Sequence, residues 1–217
     1  MRESNPVESQ ALRFQLSRMQ KGLEALYRVD TELDVDDFLI DSDTRNGLGI
    51  ERHSREQLIL SEAGDVGLFI CERALCNLGK NDPGVRVDES NFADFLLAIE
   101  GVSHFVYLAW RARSDQAVTG LELELQAEVD KYVTLVLIDV AEESSRDLRQ
   151  RLFCDFSYEP DLSATERPRY VTANRAARRY AAYLEQTYVN QGRKSDMLGE
   201  LRRFYRLSLS EKLSRAA

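Results

Sequence analysis

The chain is poor in the residues that most often carry chemistry. It has two histidines, His53 and His104, in 217 residues. Histidine is the commonest metal ligand and general base, so any imidazole centre must use one of these two. The three cysteines, Cys71, Cys76 and Cys154, are an odd number. Cys71 and Cys76 have the spacing C-x4-C, which matches neither a zinc knuckle nor a thioredoxin motif. Thiols in a reducing compartment are expected, not a disulfide framework. No Gly-x-Ser-x-Gly elbow occurs, and Gly47-Leu48-Gly49 lacks the third glycine and the lysine of a phosphate loop. No window approaches about 18 uninterrupted apolar residues, so no transmembrane helix is expected. The start, Met1-Arg2-Glu3-Ser4-Asn5-Pro6, lacks the apolar core of a signal peptide, so the expected location is cytoplasmic, with no membrane partner. Internal repeats and low-complexity segments are also missing.

What is present is ordinary for a soluble globular protein: 43% hydrophobic residues, 30% charged and a net charge of −8. A chain of this size buries a real core without staples. The charge is uneven. Residues 161–217 hold twelve basic and six acidic side chains, a net of +6, which leaves −14 for the first 160. An acidic body with an arginine-rich tail reads in two ways. The tail packs on the body and is neutralised there, or it recruits a partner through Arg175, Arg178, Arg179, Arg202, Arg203 and Arg206. Tyrosines interleaved with these arginines suit nucleic acid as well. Arg178 and Arg179 point about 100° apart, however, and an overall acidic chain repels a polyanion.

Periodicity supplies the elements. Leu12, Leu16, Met19, Leu23, Leu26 and Tyr27 mark an amphipathic helix over 8–28. Leu33–Ile40 alternates loosely and reads as a short strand, and 41–54 reads as a polar loop. Two apolar runs, Gln57–Ser61 and Val66–Ile70, flank a glycine-containing turn and predict a β-hairpin. A short helix through Ala74 and Leu78 stops at Gly79, before a loop over 80–90. Phe92, Phe95, Leu96, Ile99, Val102 and Val106 predict a long helix from Phe92 to Arg113, capped by Ser90-Asn91. Gly101 inside it costs about 1 kcal/mol relative to alanine and predicts a close approach of another backbone. Thr119, three residues before Glu122, opens a second long helix over 118–141. Ser157–Pro168 reads as a loop. Helices then follow over 170–189 and, capped by Ser195, over 196–206, with a capping box at Ser208–Glu211.

The predicted fold is therefore α+β, mainly α. A long antiparallel central helix pair has a small N-terminal β-hairpin region before it and a C-terminal helical segment after it. An N-terminal subdomain over 1–83 and a helical subdomain over 84–217 form one compact domain.

One constellation carries chemistry. Glu100, His104, Tyr107 and Arg111 are spaced four, three and four, which puts them on one stripe of the first long helix. Glu124, Glu128 and Lys131 form a similar stripe on the second, with Glu122, Gln126 and Asp130 beside it. Across an antiparallel seam His104 faces Glu124 or Glu128. A histidine with carboxylates between helices holds a divalent metal in bundle proteins, so Glu100, His104, Glu124 and Glu128 are the candidate ligands. Glu-x-x-x-His occurs once here, which argues against a di-metal pair built on Glu-x-x-His. The plainer reading is a hydrogen-bond network, with Arg111 or Lys131 paired to a carboxylate across the seam. The run Asp34, Asp36, Asp37, Asp41, Asp43 fails the EF-hand template, since Arg45 and Asn46 stand where a ligand and a glycine belong. It reads as a solvated loop or the surface that receives the basic tail. His53, among Glu51, Arg52 and Ser54, reads as exposed. The functional expectation is a non-enzymatic interaction or regulatory protein with a protein partner. The alternatives are a metal-binding or metal-dependent helical enzyme, and nucleic-acid binding.

Overall fold

Leu16, Met19, Leu23 and Tyr27 recur at three- and four-residue spacings, and all four are buried along α1 (Pro6–Tyr27). The computed structural model describes residues 6–48, 54–61, 63–138, 143–155, 162–164 and 166–217, the first nine by backbone alone. It is 67% helical, with one two-stranded antiparallel sheet, as the mainly α, α+β reading expects. The hairpin pairs β1 (Glu56–Leu60) with β2 (Val66–Ile70) in the register Glu56 to Ile70 through Leu60 to Val66. Leu68, Phe69 and Ile70 are buried, and the hairpin lies against the central helix α4 (Phe92–Ala112).

Side-chain pairs run in opposite order along α4 and α5 (Gly120–Ile138): Arg111 with Glu122, His104 with Glu124, Ser103 with Asp130, Glu100 with Lys131. The pair is therefore antiparallel, as its short connection demands. Thr119 Oγ1 accepts the Glu122 amide at 3.2 Å and opens α5. The end proposed for this helix, near Ala141, lies outside the described residues. Among the described helices, α4 is long and apolar enough to cross a membrane, yet 67% of that window is buried against α1, α5 and the hairpin.

Five local expectations are corrected. Leu33–Ile40 is not a strand. Val35–Phe38 is a 3-10 turn because the Asp34 carboxylate accepts the Asp36 amide. Leu39 keeps only an isolated bridge to Leu68. The polar segment after it forms α2 (Ser42–Gly47), capped by Asp41 through the Thr44 amide. Gly79 lies inside α3 (Glu72–Lys80). Pro168 sits in the first turn of α7 (Glu166–Leu184), where the missing amide hydrogen has no helical partner to lose. Ser195 lies within α8 (Lys194–Arg206) rather than capping it.

Asn91 takes the N-cap position of α4 without a capping bond and instead ties down the preceding loop through the Asn81 and Arg86 carbonyls. The short α6 (Ser145–Phe153) is capped by Ser144, and α7 packs along α5 before ending in a π turn at Glu185–Val189. The capping box at Ser208 and Glu211 is formed and opens α9 (Leu209–Arg215). One hydrophobic cluster runs from Leu16 to Ala216 and joins residues on both sides of position 83.

Candidate metal centre

The seam between α4 and α5 brings three of the four proposed ligands together. Ligand atoms of Glu100, His104 and Glu124 all lie within 4.8 Å of one another. His104 Nε2 is 3.7 Å from Glu124 Oε2. A tetrahedral site with bonds of about 2.1 Å separates its ligand atoms by about 3.4 Å, so small side-chain shifts suffice. His104 Nε2 is buried and has no hydrogen-bond partner among the described residues. Glu128 is not part of this group. It accepts from Lys131 Nζ at 2.7 Å, and Lys131 also donates to Glu100 at 2.8 Å.

Two contributors come from elements remote in sequence. Glu56, at the start of β1, faces His104 Nδ1 at 3.4 Å. Arg169, in the first turn of α7, reaches Glu124 Oε1 at 3.3 Å. Both approaches depend on a glycine. A Cβ on Gly101 would stand 3.0 Å from Glu56 Cγ, and one on Gly120 would stand 2.9 Å from Arg169 Nη1. Gly101 thus admits the Glu56 and Leu68 side chains, not a second backbone.

Burial opposes charge throughout the cluster, and the partners decide who keeps it. At His104 the carboxylates of Glu56, Glu124 and Glu100 outweigh desolvation and push the imidazole up to about 9. Burial raises Glu124 to about 7 against the pull of His104 and Arg169. Desolvation also raises Glu56 and Glu128. At Glu100 desolvation is outweighed by Lys131 and His104, which hold the carboxyl below its ordinary value.

Tyr107 and Arg111, predicted on the same stripe as His104, join a second buried network. Both donate to Glu122 Oε1, at 2.9 and 3.1 Å. Asp130 accepts from Ser103, Gln126 and Tyr27. Lys212 of α9 is fully buried above the Tyr107 ring and donates to Tyr107 Oη at 2.9 Å and Gln126 Oε1 at 2.8 Å. Its direct acceptors are neutral, and burial lowers the ammonium to about 7 against the attraction of Glu122 and Asp130.

The tail arginines separate into two groups. Arg202 donates to the Leu26 carbonyl, and Arg206 to those of Tyr27 and Arg28, so both satisfy the carbonyls that end α1. Arg203 pairs with Glu200 at 3.4 Å. Arg175, Arg178 and Arg179 are exposed on α7. The tail's anchor is thus the end of α1 and not the Asp34–Asp43 run, where Asp34 and Asp41 act as caps. His53 lies outside the described residues.

No protein-family model matches the chain, and no curated protein or solved structure is significantly similar to it. Fold and site alone define its class: a helical α+β protein with a buried histidine–carboxylate cluster at its central seam.

Proposed function

We propose that the protein binds a divalent transition metal through Glu100, His104 and Glu124. The observation that carries this reading is the buried Nε2 of His104, which has no hydrogen-bond partner among the described residues, lies 3.7 Å from Glu124 Oε2 and belongs to a group whose ligand atoms all lie within 4.8 Å of one another. Each ligand has a partner behind it: Glu56 for His104, Lys131 for Glu100, Arg169 for Glu124. Such outer partners fix tautomer and orientation at metal sites. Glu128 acts through Lys131. An imidazole with two carboxylates suits zinc or iron better than calcium or magnesium. Three protein ligands leave a coordination position for water or substrate, the pattern of metal enzymes rather than of closed structural sites.

Elemental analysis of untagged protein incubated with zinc or ferrous iron tests this. One retained equivalent is expected in the wild type, none in His104→Ala, and less than one, through weaker binding, in the isosteric Glu124→Gln. Wild type that retains no metal, with variants that only melt earlier, would make the cluster a structural network.

A protein partner is the second reading, favoured by the outer face of α7. Arg167, Arg175, Arg178 and Arg179 are exposed there. Helical spacing puts all four within an arc of about 120°, with Glu166, the helix's single carboxylate, on the opposite side. An acidic protein segment fits this face better than nucleic acid, because the chain's −8 charge repels a long polyanion. Fluorescence anisotropy should show low-salt binding of a short glutamate-rich peptide that is lost when Arg175, Arg178 and Arg179 become glutamate. Tighter binding of duplex DNA would assign the face to nucleic acid, and binding of neither would remove the reading.

A further inference from the structure

Gly101 and Gly120 each make room for a side chain from elsewhere in the chain, but Gly22 does not. It stands inside α1, where alanine would be the better helix former, and a Cβ on it would meet no atom within 4 Å. The space beside it belongs to a cavity of about 480 Å³ where α1 meets α4 and α5. Met19 and Leu23 of α1, Phe95 and Ile99 of α4, and Leu137 of α5 form walls, and the Pro83-Gly84 turn adds another. Gly22 and Ile138 line the cavity and are exposed, so it opens to solvent between α1 and α5. Protein interiors close-pack, with few voids larger than a water molecule. This junction stays open, and its volume lies within the range of about 300–1,000 Å³ of small-molecule sites.

The lining states what would fill it. Arg18 is its one charged residue among those described, and the guanidinium is committed to both carboxylate oxygens of Asp82 and to Gln15. Thr134, on the α5 wall, makes no side-chain hydrogen bond among the described residues. We propose that this cavity binds a small, uncharged, largely apolar organic molecule that carries one hydrogen-bonding group. The apolar body removes water from Leu26, Leu137 and Ile138, and the Thr134 hydroxyl, both donor and acceptor, orients the polar group. A charged ligand would lose its own water and find its counter-charges already paired. A docked helix is excluded by size, since two turns, about 10 Å across and about 11 Å long, need about 850 Å³. No lining residue belongs to the Glu100–His104–Glu124 cluster, so the proposal stands whether or not that cluster holds a metal.

The probe is N-phenyl-1-naphthylamine, an uncharged amine that fluoresces in apolar surroundings. Its sulfonated analogue, 8-anilinonaphthalene-1-sulfonate, is the charged counterpart. The wild type is expected to take up one equivalent of the amine saturably and to bind the sulfonate about tenfold more weakly or worse. Gly22→Leu starts from a Cβ with free space around it and directs a side chain into the cavity. It should weaken amine binding by about tenfold or more without lowering the denaturation midpoint. Thr134→Val exchanges the hydroxyl for a methyl group and should weaken binding by about three- to tenfold. Wild type that does not bind the amine, or Gly22→Leu that binds it as tightly as the wild type, overturns the site. Equal affinity for the sulfonate overturns the assignment to uncharged ligands, and wild-type affinity in Thr134→Val overturns the role of its hydroxyl.

Discussion

Lys212→Met is expected to remove a contribution to wild-type stability that grows from pH 7 to pH 10. Lys212 is fully buried, and desolvation holds its ammonium at about 7 instead of 10.5. Between these values the unfolded chain binds the proton and the folded chain does not, so stability increases with pH. Below pH 7 both states are protonated and the penalty is constant. Above about pH 10.5 both are neutral and the penalty is gone. The shift corresponds to roughly 5 kcal/mol over the full range, at about 1.4 kcal/mol per pH unit. His104 works in the opposite direction. Raised to about 9, it contributes stability that is complete below its unfolded value and lost as pH rises through 9. The measurement is therefore the difference between wild-type and variant denaturant unfolding curves across pH 7–10. Methionine fills a similar volume but leaves the Gln126 carbonyl oxygen unpaired, an offset of about 1–3 kcal/mol that does not vary with pH. A difference curve that is flat would mean that Lys212 keeps its proton in the folded state.

Metal affinity is expected to weaken with acidity in two stages. Coordination needs a neutral imidazole and an ionised carboxylate. The metal-free protein holds His104 at about 9 and Glu124 at about 7. Above pH 9 the zinc dissociation constant should be flat. From pH 9 to pH 7 one proton is displaced, and the constant rises by up to about tenfold per unit. Below pH 7 two protons are displaced, and the rise approaches about a hundredfold per unit. Exchanging a divalent cation for two protons leaves the charge of the cluster unchanged, so metal entry adds no buried charge to be compensated. Chelator competition from pH 6 to pH 9.5 measures this directly. Glu124→Gln, with weaker binding at every pH, should lose the second stage. An affinity independent of pH would place the metal elsewhere.

The candidate site was half legible. Glu100, His104 and Glu124 are periodic positions on two long amphipathic helices, and a short connection makes such helices antiparallel. Their meeting follows from local spacing. Glu56 lies 44 positions before Glu100 and Arg169 lies 45 after Glu124. Nothing in their neighbourhoods distinguishes them from any strand-edge glutamate or helix arginine. The glycines are the one trace they leave. Gly101 is out of place in a helix interior, and its reason is a side chain from the hairpin. Tyr107 and Arg111 share the His104 stripe but serve a second network: Tyr107 lies about 60° around the helix from His104, and Arg111, only about 20° around, lies about two turns further along it, where both meet Glu122.

The caps divide in the same way. Ser208 with Glu211 and Thr119 with Glu122 form the bonds their spacing predicts, because a cap closes within four residues. Asn91 has the right chemistry for a cap and spends it on the loop before α4, a choice set by where that loop folds back.

The amino-acid sequence by itself determined the long helices, the hairpin, the antiparallel seam and the carboxylates and imidazole that line it. Each of these follows from backbone period and turn chemistry, which act over a few residues. Only the tertiary structure decided which of those groups hold charge. No local pattern in the sequence singles out Lys212, which is buried because α9 brings it onto Tyr107 and Gln126. Arg202 and Arg206 are spent on carbonyls at the end of α1, while Arg175, Arg178 and Arg179 stay exposed on α7. Protonation and pairing depend on the loss of water around a group and on the charges that replace it. Those charges come from segments far apart in the chain, so no local pattern records them.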